Sequence, residues 1–211
     1  MASKLEIYNN ALLILGERKL SSLTEDVEPR YVLDDAYDRC LAVCLSASGW
    51  NFGMRTVVID SSTTVDPDFG YTYAFLQPTD YIRTFQISDN ENLYPPLQDY
   101  THESGYWYAW VDPIYVKYLS NDAGYGMDIA NWPSSFSEFV ETALARRICR
   151  RITSSEEKLK LIYQLEQRMA KTAIGRDSIG DPVTFPPRGT WATSRGAKRS
   201  FDRTPTGTLT G

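Results

Sequence analysis

The chain has 211 residues, 42% of them hydrophobic, and a formal net charge of −5. That length supports one substantial core, or one core with a small second domain. No apolar run approaches the ~20 residues of a membrane span. Met1-Ala2-Ser3-Lys4-Leu5 opens no signal-peptide hydrophobic region. The chain is therefore expected to be made and used without export, and no membrane partner is expected.

Leu5, Tyr8, Leu12 and Leu15 recur at three and four residues. They predict a first helix over about 4–15, stopped by Gly16. A second helix begins near Glu28-Pro29, since proline is tolerated in a first turn. Leu33, Ala36, Tyr37, Cys40, Leu41 and Cys44 form its buried stripe, with Asp34, Asp35 and Asp38 mostly off it. Gly49 is expected to end it, and Trp50 and Phe52 to pack back on the helices. Cys40 and Cys44, four apart with parallel side-chain directions, suit packing better than a disulfide. With Cys149 in another helix, they read as buried free thiols of a reducing compartment.

From Arg55 the period changes. Residues 56–60, 71–76, 81–87, 106–111 and 114–119 read as strands. Asp112-Pro113 predicts a tight turn between the last two. Tyr106, Tyr108 and Trp110 alternate with Trp107 and Ala109, which puts aromatics on both faces. Two readings stay open: a compact β core with half-exposed tyrosines, or a face that meets another subunit. On the second reading Tyr106, Tyr108 and Trp110 are interface candidates.

Pro133-Ser134-Ser135 opens a third helix, with Ser135 and Glu138 at capping-box spacing. Phe136, Val140, Ala143, Leu144 and Ile148 are its stripe. Ser154 and Glu157 repeat the spacing at a fourth helix, closed by Gly175. Its apolar residues Leu159, Ile162, Tyr163, Met169 and Ala173 are joined by Leu161 and Leu165. That face is wide for a helix packed on one side only, so Leu161 and Leu165 are further interface candidates. Over residues 176–211, Gly, Pro, Ser and Thr fill 19 of 36 positions. Such a segment builds no core of its own. The economical architecture is α+β: a four-helix bundle-like domain (1–54 and 127–175), an inserted antiparallel β lobe (55–126) and an extended C-terminal tail (176–211).

The charge is asymmetric. Residues 146–211 hold 14 Lys and Arg against 6 Asp and Glu. An acidic body with a basic C-terminal third suggests oriented assembly or an anionic partner at one end. Arg146, Arg147, Arg150 and Arg151 read equally well as a solvated helix face. In the tail, Phe185, Trp191 and Phe201 are spaced apolar anchors. Arg188, Arg195, Lys198, Arg199 and Arg203 are cations for an acidic partner. No nucleophile elbow, phosphate loop or zinc-ligand spacing appears. The single histidine, His102, removes most triad and metal schemes. Asp66 and Asp68 lie in a Pro-containing loop and read as turn residues. No enzyme, catalytic residue, metal or cofactor is expected.

Several motifs resemble one family. Asn-Ala-Leu-Leu-Ile-Leu-Gly-Glu (10–17), Ser-Ser-Leu-Thr-Glu-Asp-Val-Glu (21–28), Tyr-Asp-Arg-Cys-Leu (37–41) and Gly-Trp-Asn-Phe-Gly-Met-Arg (49–55) come first. Leu76-Gln77-Pro78-Thr79-Asp80 follows as a Leu-x-Pro-x-Asp turn. In this order, over about residues 4–174, they resemble the tail tubular protein A family, the head-to-tail adaptors of short-tailed phages. The resemblance implies a structural virion protein at the portal-proximal end of the tail, made in the host cytoplasm. It implies a homo-oligomeric ring of twelve subunits joining the portal protein to a nozzle like tail tubular protein B. Duplex DNA would pass through without specific binding. Glu25, Asp26, Glu28, Asp34, Asp35 and Asp38 are candidates for an acidic lumen, or form a solvated outer helix face. Two other classes stay open: a nucleic-acid-binding protein using the basic third with Trp191 and Phe201 stacking, and a carbohydrate-active tail enzyme using the Trp- and Tyr-rich lobe.

Overall fold

A computed structural model describes residues 3–68 and 70–180. Its architecture is α+β, with four helices and a small antiparallel β lobe inserted between the second and third. The helices are α1 (Lys4–Leu15), α2 (Glu28–Ser46), α3 (Ser134–Thr153) and α4 (Glu156–Ile179). The strands are β1 (Met54–Ile59), β2 (Tyr73–Leu76), β3 (Tyr81–Ser88), β4 (Tyr100–Glu103), β5 (Tyr106–Ala109) and β6 (Ile114–Ser120).

Helix α1 starts with a full capping box. The Ser3 hydroxyl accepts from Glu6 N, and the Glu6 carboxylate accepts from Ser3 N, each at 3.2 Å. Gly16 ends it in the left-handed region at φ 80°. Lys158 Nζ then donates to Leu15 O at 3.2 Å, tying this end to α4. Ile7, Tyr8, Leu12, Leu33, Leu41, Cys44, Phe136, Val140, Leu144 and Ile148 are buried together with the other inward faces of the bundle. Cys40, Cys44 and Cys149 are all buried free thiols.

Several expected boundaries are corrected. Helix α2 ends at Ser46, not Gly49. Gly49 serves close approach instead, because a Cβ there would lie 2.8 Å from the Phe85 ring. Ser135 does not cap α3. Pro133 opens the helix, and its carbonyl accepts from Phe136 N and Ser137 N. Ser154 does not cap α4, because it sits in the left-handed region at φ 51°. Ser155 caps it, accepting from Lys158 N at 3.3 Å. Helix α4 also passes Gly175 and ends at Ile179, so residues 176–179 are helical rather than extended. No neighbour crowds Gly175, and the polar last turn is anchored by Asp177.

The lobe consists of two three-stranded antiparallel sheets, ordered β1-β6-β3 and β2-β5-β4. Strand β4 has three exposed residues of four, so no apolar alternation announces it. Asp112-Pro113 does not close a hairpin, because β5 and β6 belong to different sheets. Asp112 instead accepts from Ser61 N and Ser61 Oγ at 3.0 and 2.9 Å. Ile87, Ile114, Val116 and Tyr118 of one sheet and Phe75, Trp107 and Ala109 of the other share the lobe's own core. Trp107 Nε1 donates across it to Thr84 Oγ1 at 3.0 Å. Leu119, next to Tyr118 on β6, joins the helical core instead. Alternation along one central strand therefore couples the two cores.

Candidate functional site

Two of the motifs, 49–55 and 76–80, meet where helices meet sheet. Trp50 is 1% exposed. Its Nε1 donates to Cys44 O at 3.0 Å, closing the end of α2. Its ring lies 4.8 Å from Phe136, which also packs on Phe52 at 4.7 Å and Trp132 at 5.0 Å. Trp132 Nε1 reaches Gly126 O at 3.0 Å. There a Cβ would sit 2.3 Å from Ser120 O, so only glycine fits. Asn51 faces outward and holds α4: its N–H donates to the Asp177 carboxylate, at 3.1 Å to the nearer oxygen, and its Nδ2 donates to Asp177 O at 3.1 Å.

Arg55 and Asp80, from two motifs 25 residues apart, meet at 2.9 Å. Tyr118 OH donates to Asp80 at 3.1 Å, and Ser120 Oγ donates to it as well. One carboxylate thus clamps residues from β1 and β6 at the start of β3, and its backbone carbonyl accepts from Asn121 N at 2.9 Å. Burial opposes ionisation of Asp80. The hydrogen bonds from Ser120, Arg55 and Tyr118 outweigh it and hold the carboxyl below the usual carboxylate range. Tyr118 is pushed up to about 12, by burial and then by its bond to Asp80. The Leu-x-Pro-x-Asp turn joins β2 to β3, that is, one sheet to the other.

The acidic residues of α2 and its approach are mostly engaged within the chain. Asp34 accepts from Tyr8 OH at 2.8 Å and Arg30 at 2.9 Å. Glu25 pairs with Arg18, Asp26 accepts from Tyr31 OH at 2.8 Å, and Glu28 pairs with Arg151 at 2.7 Å. Asp35 and Asp38 stand exposed on α2. Arg146 and Arg150 of α3 are engaged likewise, Arg146 with Glu166 and Arg150 with Glu156 at 3.3 Å. Between α2 and α3 runs an open groove of about 1030 Å³, lined by Tyr31, Asp35, Arg39, Val43, Arg147 and Arg151 among others.

The interface candidates occupy two surfaces. On α4, Leu161 is 67% exposed and its neighbour Tyr163 53%, while Leu165 is half-buried. On the lobe, Trp110 is 52% exposed, with Tyr106 and Tyr108 half-buried on the outer face of β5. Cross-strand register places Leu76, Tyr106 and Glu103 together there, and Ala74, Tyr108 and Thr101 beside them. The tail candidates Phe185, Arg188, Trp191, Arg195, Lys198, Arg199, Phe201 and Arg203 lie outside the described residues.

Asp66 and Asp68 are exposed and rim a cleft of about 450 Å³ with Tyr71, Thr101, Glu103 and Tyr108. Sequence reasoning passed over this cleft, since its walls come from three separate segments. His102 is exposed on β4, with its ring 5.7 Å from Tyr81 and 6.4 Å from Trp107. Among the described residues no group of three or more His, Cys, Asp or Glu is placed to hold a metal ion, and no helix is long and apolar enough to cross a membrane. No family model matches the chain, and no curated protein matches it.

Proposed function

We propose that this protein is a non-catalytic structural adaptor of a phage virion. It forms a twelve-subunit ring between portal and tail nozzle and lines the passage for duplex DNA. The observation that carries this reading is the joining of the motifs that resemble tail tubular protein A. Gly49-Trp50-Asn51-Phe52-Gly53-Met54-Arg55 and Leu76-Gln77-Pro78-Thr79-Asp80 build a single junction, linked by the Arg55–Asp80 pair. Ring closure needs two different patches on each subunit. The exposed α4 surface around Leu161 and Tyr163 and the lobe surface around Trp110 are separate candidates for subunit contacts.

The test is mass and imaging. The full chain, alone and mixed with its portal, is measured by native mass spectrometry and electron microscopy. Closed rings of one stoichiometry, capping the portal end-on, are the expected result. Irregular aggregates, or a monomer that ignores the portal, would refute the reading.

A further inference from the structure

The outer face of the β2-β5-β4 sheet is aromatic and, among the described residues, only partly covered. Tyr106, Tyr108 and Trp110 line it, with Leu76 59% exposed at one edge. Tyr71 packs on Trp110 at 5.4 Å, and its hydroxyl bonds Asp99 and Thr101 at 3.1 and 3.2 Å. The loop before β2 folds over this face and leaves the 450 Å³ cleft, walled by Asp66, Asp68 and Glu103 and by the phenols of Tyr71 and Tyr108.

The charge around it is one-sided. Residues 60–80 and 89–112 carry nine Asp and Glu and no Lys or Arg. Among the described residues, only Asp80 of the nine is paired with an arginine, and that arginine lies on β1. Carboxylates beside aromatic faces are the setting that favours a guanidinium: the acids accept its forked donors and the rings accept its flat face. A neutral ligand would gain nothing from the excess negative charge.

The chain itself supplies a matching segment. Residues 182–201 hold Arg188, Arg195, Lys198 and Arg199, no acidic residue, and the aromatic anchors Phe185, Trp191 and Phe201. We propose that the cleft and aromatic face of one subunit receive residues 182–201 of a second copy, with an arginine in the cleft. This deepens the ring reading and rests on it. A segment of one subunit held by the lobe of the next is a heterologous contact, the kind that closes a ring.

Two measurements test it. First, unlabelled and ¹⁵N-labelled full chains are mixed, assembled and treated with a carbodiimide, which joins carboxylates to amines without a spacer. Heavy–light crosslinks from Lys198 to Asp66, Asp68 or Glu103 are expected. Crosslinks only within one chain, or to the α2 carboxylates, would overturn the proposal. Second, a labelled peptide of residues 182–201 is titrated onto a full chain whose own segment is reversed by Arg188→Glu, Arg195→Glu, Lys198→Glu and Arg199→Glu. Adding Asp66→Asn, Asp68→Asn and Glu103→Gln should weaken binding at least tenfold at unchanged melting temperature. Equal binding to both receptors, no binding, or displacement of the peptide by a neutral oligosaccharide would overturn it. The two readings fail separately: peptide capture by a chain that stays monomeric leaves the cleft assignment standing and removes the ring.

Discussion

Asp80 shows how one side chain acts on three strands. Its folded pKa lies below the unfolded value of about 4. Its stabilisation is therefore present above pH 4 and is lost as pH falls through the folded pKa. Asp80→Asn should cost about 2–3 kcal/mol at pH 7, the scale of hydrogen bonds to a charged group. The difference from the parent should shrink as the pH drops below 4, which denaturant midpoints measured across pH 2–7 will show. Glu141 has the opposite sign. Burial raises its pKa, the nearby Glu138 and Glu6 add to this, and the 2.9 Å bond from Asn10 Nδ2 only partly offsets it. Its contribution is best at low pH and is lost as pH rises through the raised folded pKa. Glu141→Gln should stabilise the fold at pH 7, with the gain vanishing near pH 3. An unchanged midpoint at pH 7 would contradict this.

At the scale of elements, the junction decides stability. Trp50 closes α2 with its indole N–H and fills the space between Phe52, Phe136 and Phe139. Trp50→Ala should cost about 3–5 kcal/mol. In a protein of this size that lowers the thermal midpoint by on the order of 10 °C, which calorimetry would detect. The helices were legible because their stripes are long: Leu5 to Leu15 and Leu33 to Cys44 fix the buried face whatever else the chain does. Their ends were less so. Ser154 has the capping-box spacing to Glu157, yet its left-handed backbone ends α3 and leaves Ser155 to cap α4. Strand β4 was invisible because an exposed edge strand of four residues needs no apolar pattern. The pairing of strands was hidden for another reason: β6 sits between β1 and β3, so its partners lie some sixty and thirty residues upstream. Of the junction, Trp50 and Phe52 could be read as packing residues, whereas the meeting of Arg55 with Asp80 depends on that register.

At the scale of the molecule, charge distribution is the organising feature. The proposed ring must let DNA move without holding it. Most arginines of α3 are already matched to carboxylates of the same chain, Arg146 to Glu166 and Arg151 to Glu28. The paired carboxylates lower the net positive charge this helix presents to phosphate. The assembled protein should therefore show no measurable affinity for duplex DNA at physiological salt. Any weak binding at low salt should fall steeply as salt is added. A submicromolar complex in a mobility-shift titration at 150 mM salt would instead favour the nucleic-acid-binding reading.

The bond between Asn51 and Asp177 also makes the fold a mechanical part. Helix α4 is the last described element, and tension on the chain beyond it enters the body at Gly180, three residues from Asp177. That tension does not fall on a free helix end. Asn51 takes it up through its backbone and side-chain amides, and Asn51 stands between the last turn of α2 and the first strand. Load is therefore passed to the aromatic cluster around Trp50 and shared between bundle and lobe. Asn51→Ala should lower the rupture force in single-molecule pulling from the C-terminus while changing equilibrium stability by only about 1 kcal/mol. A mutant that resists pulling as well as the parent would show that force travels by another route.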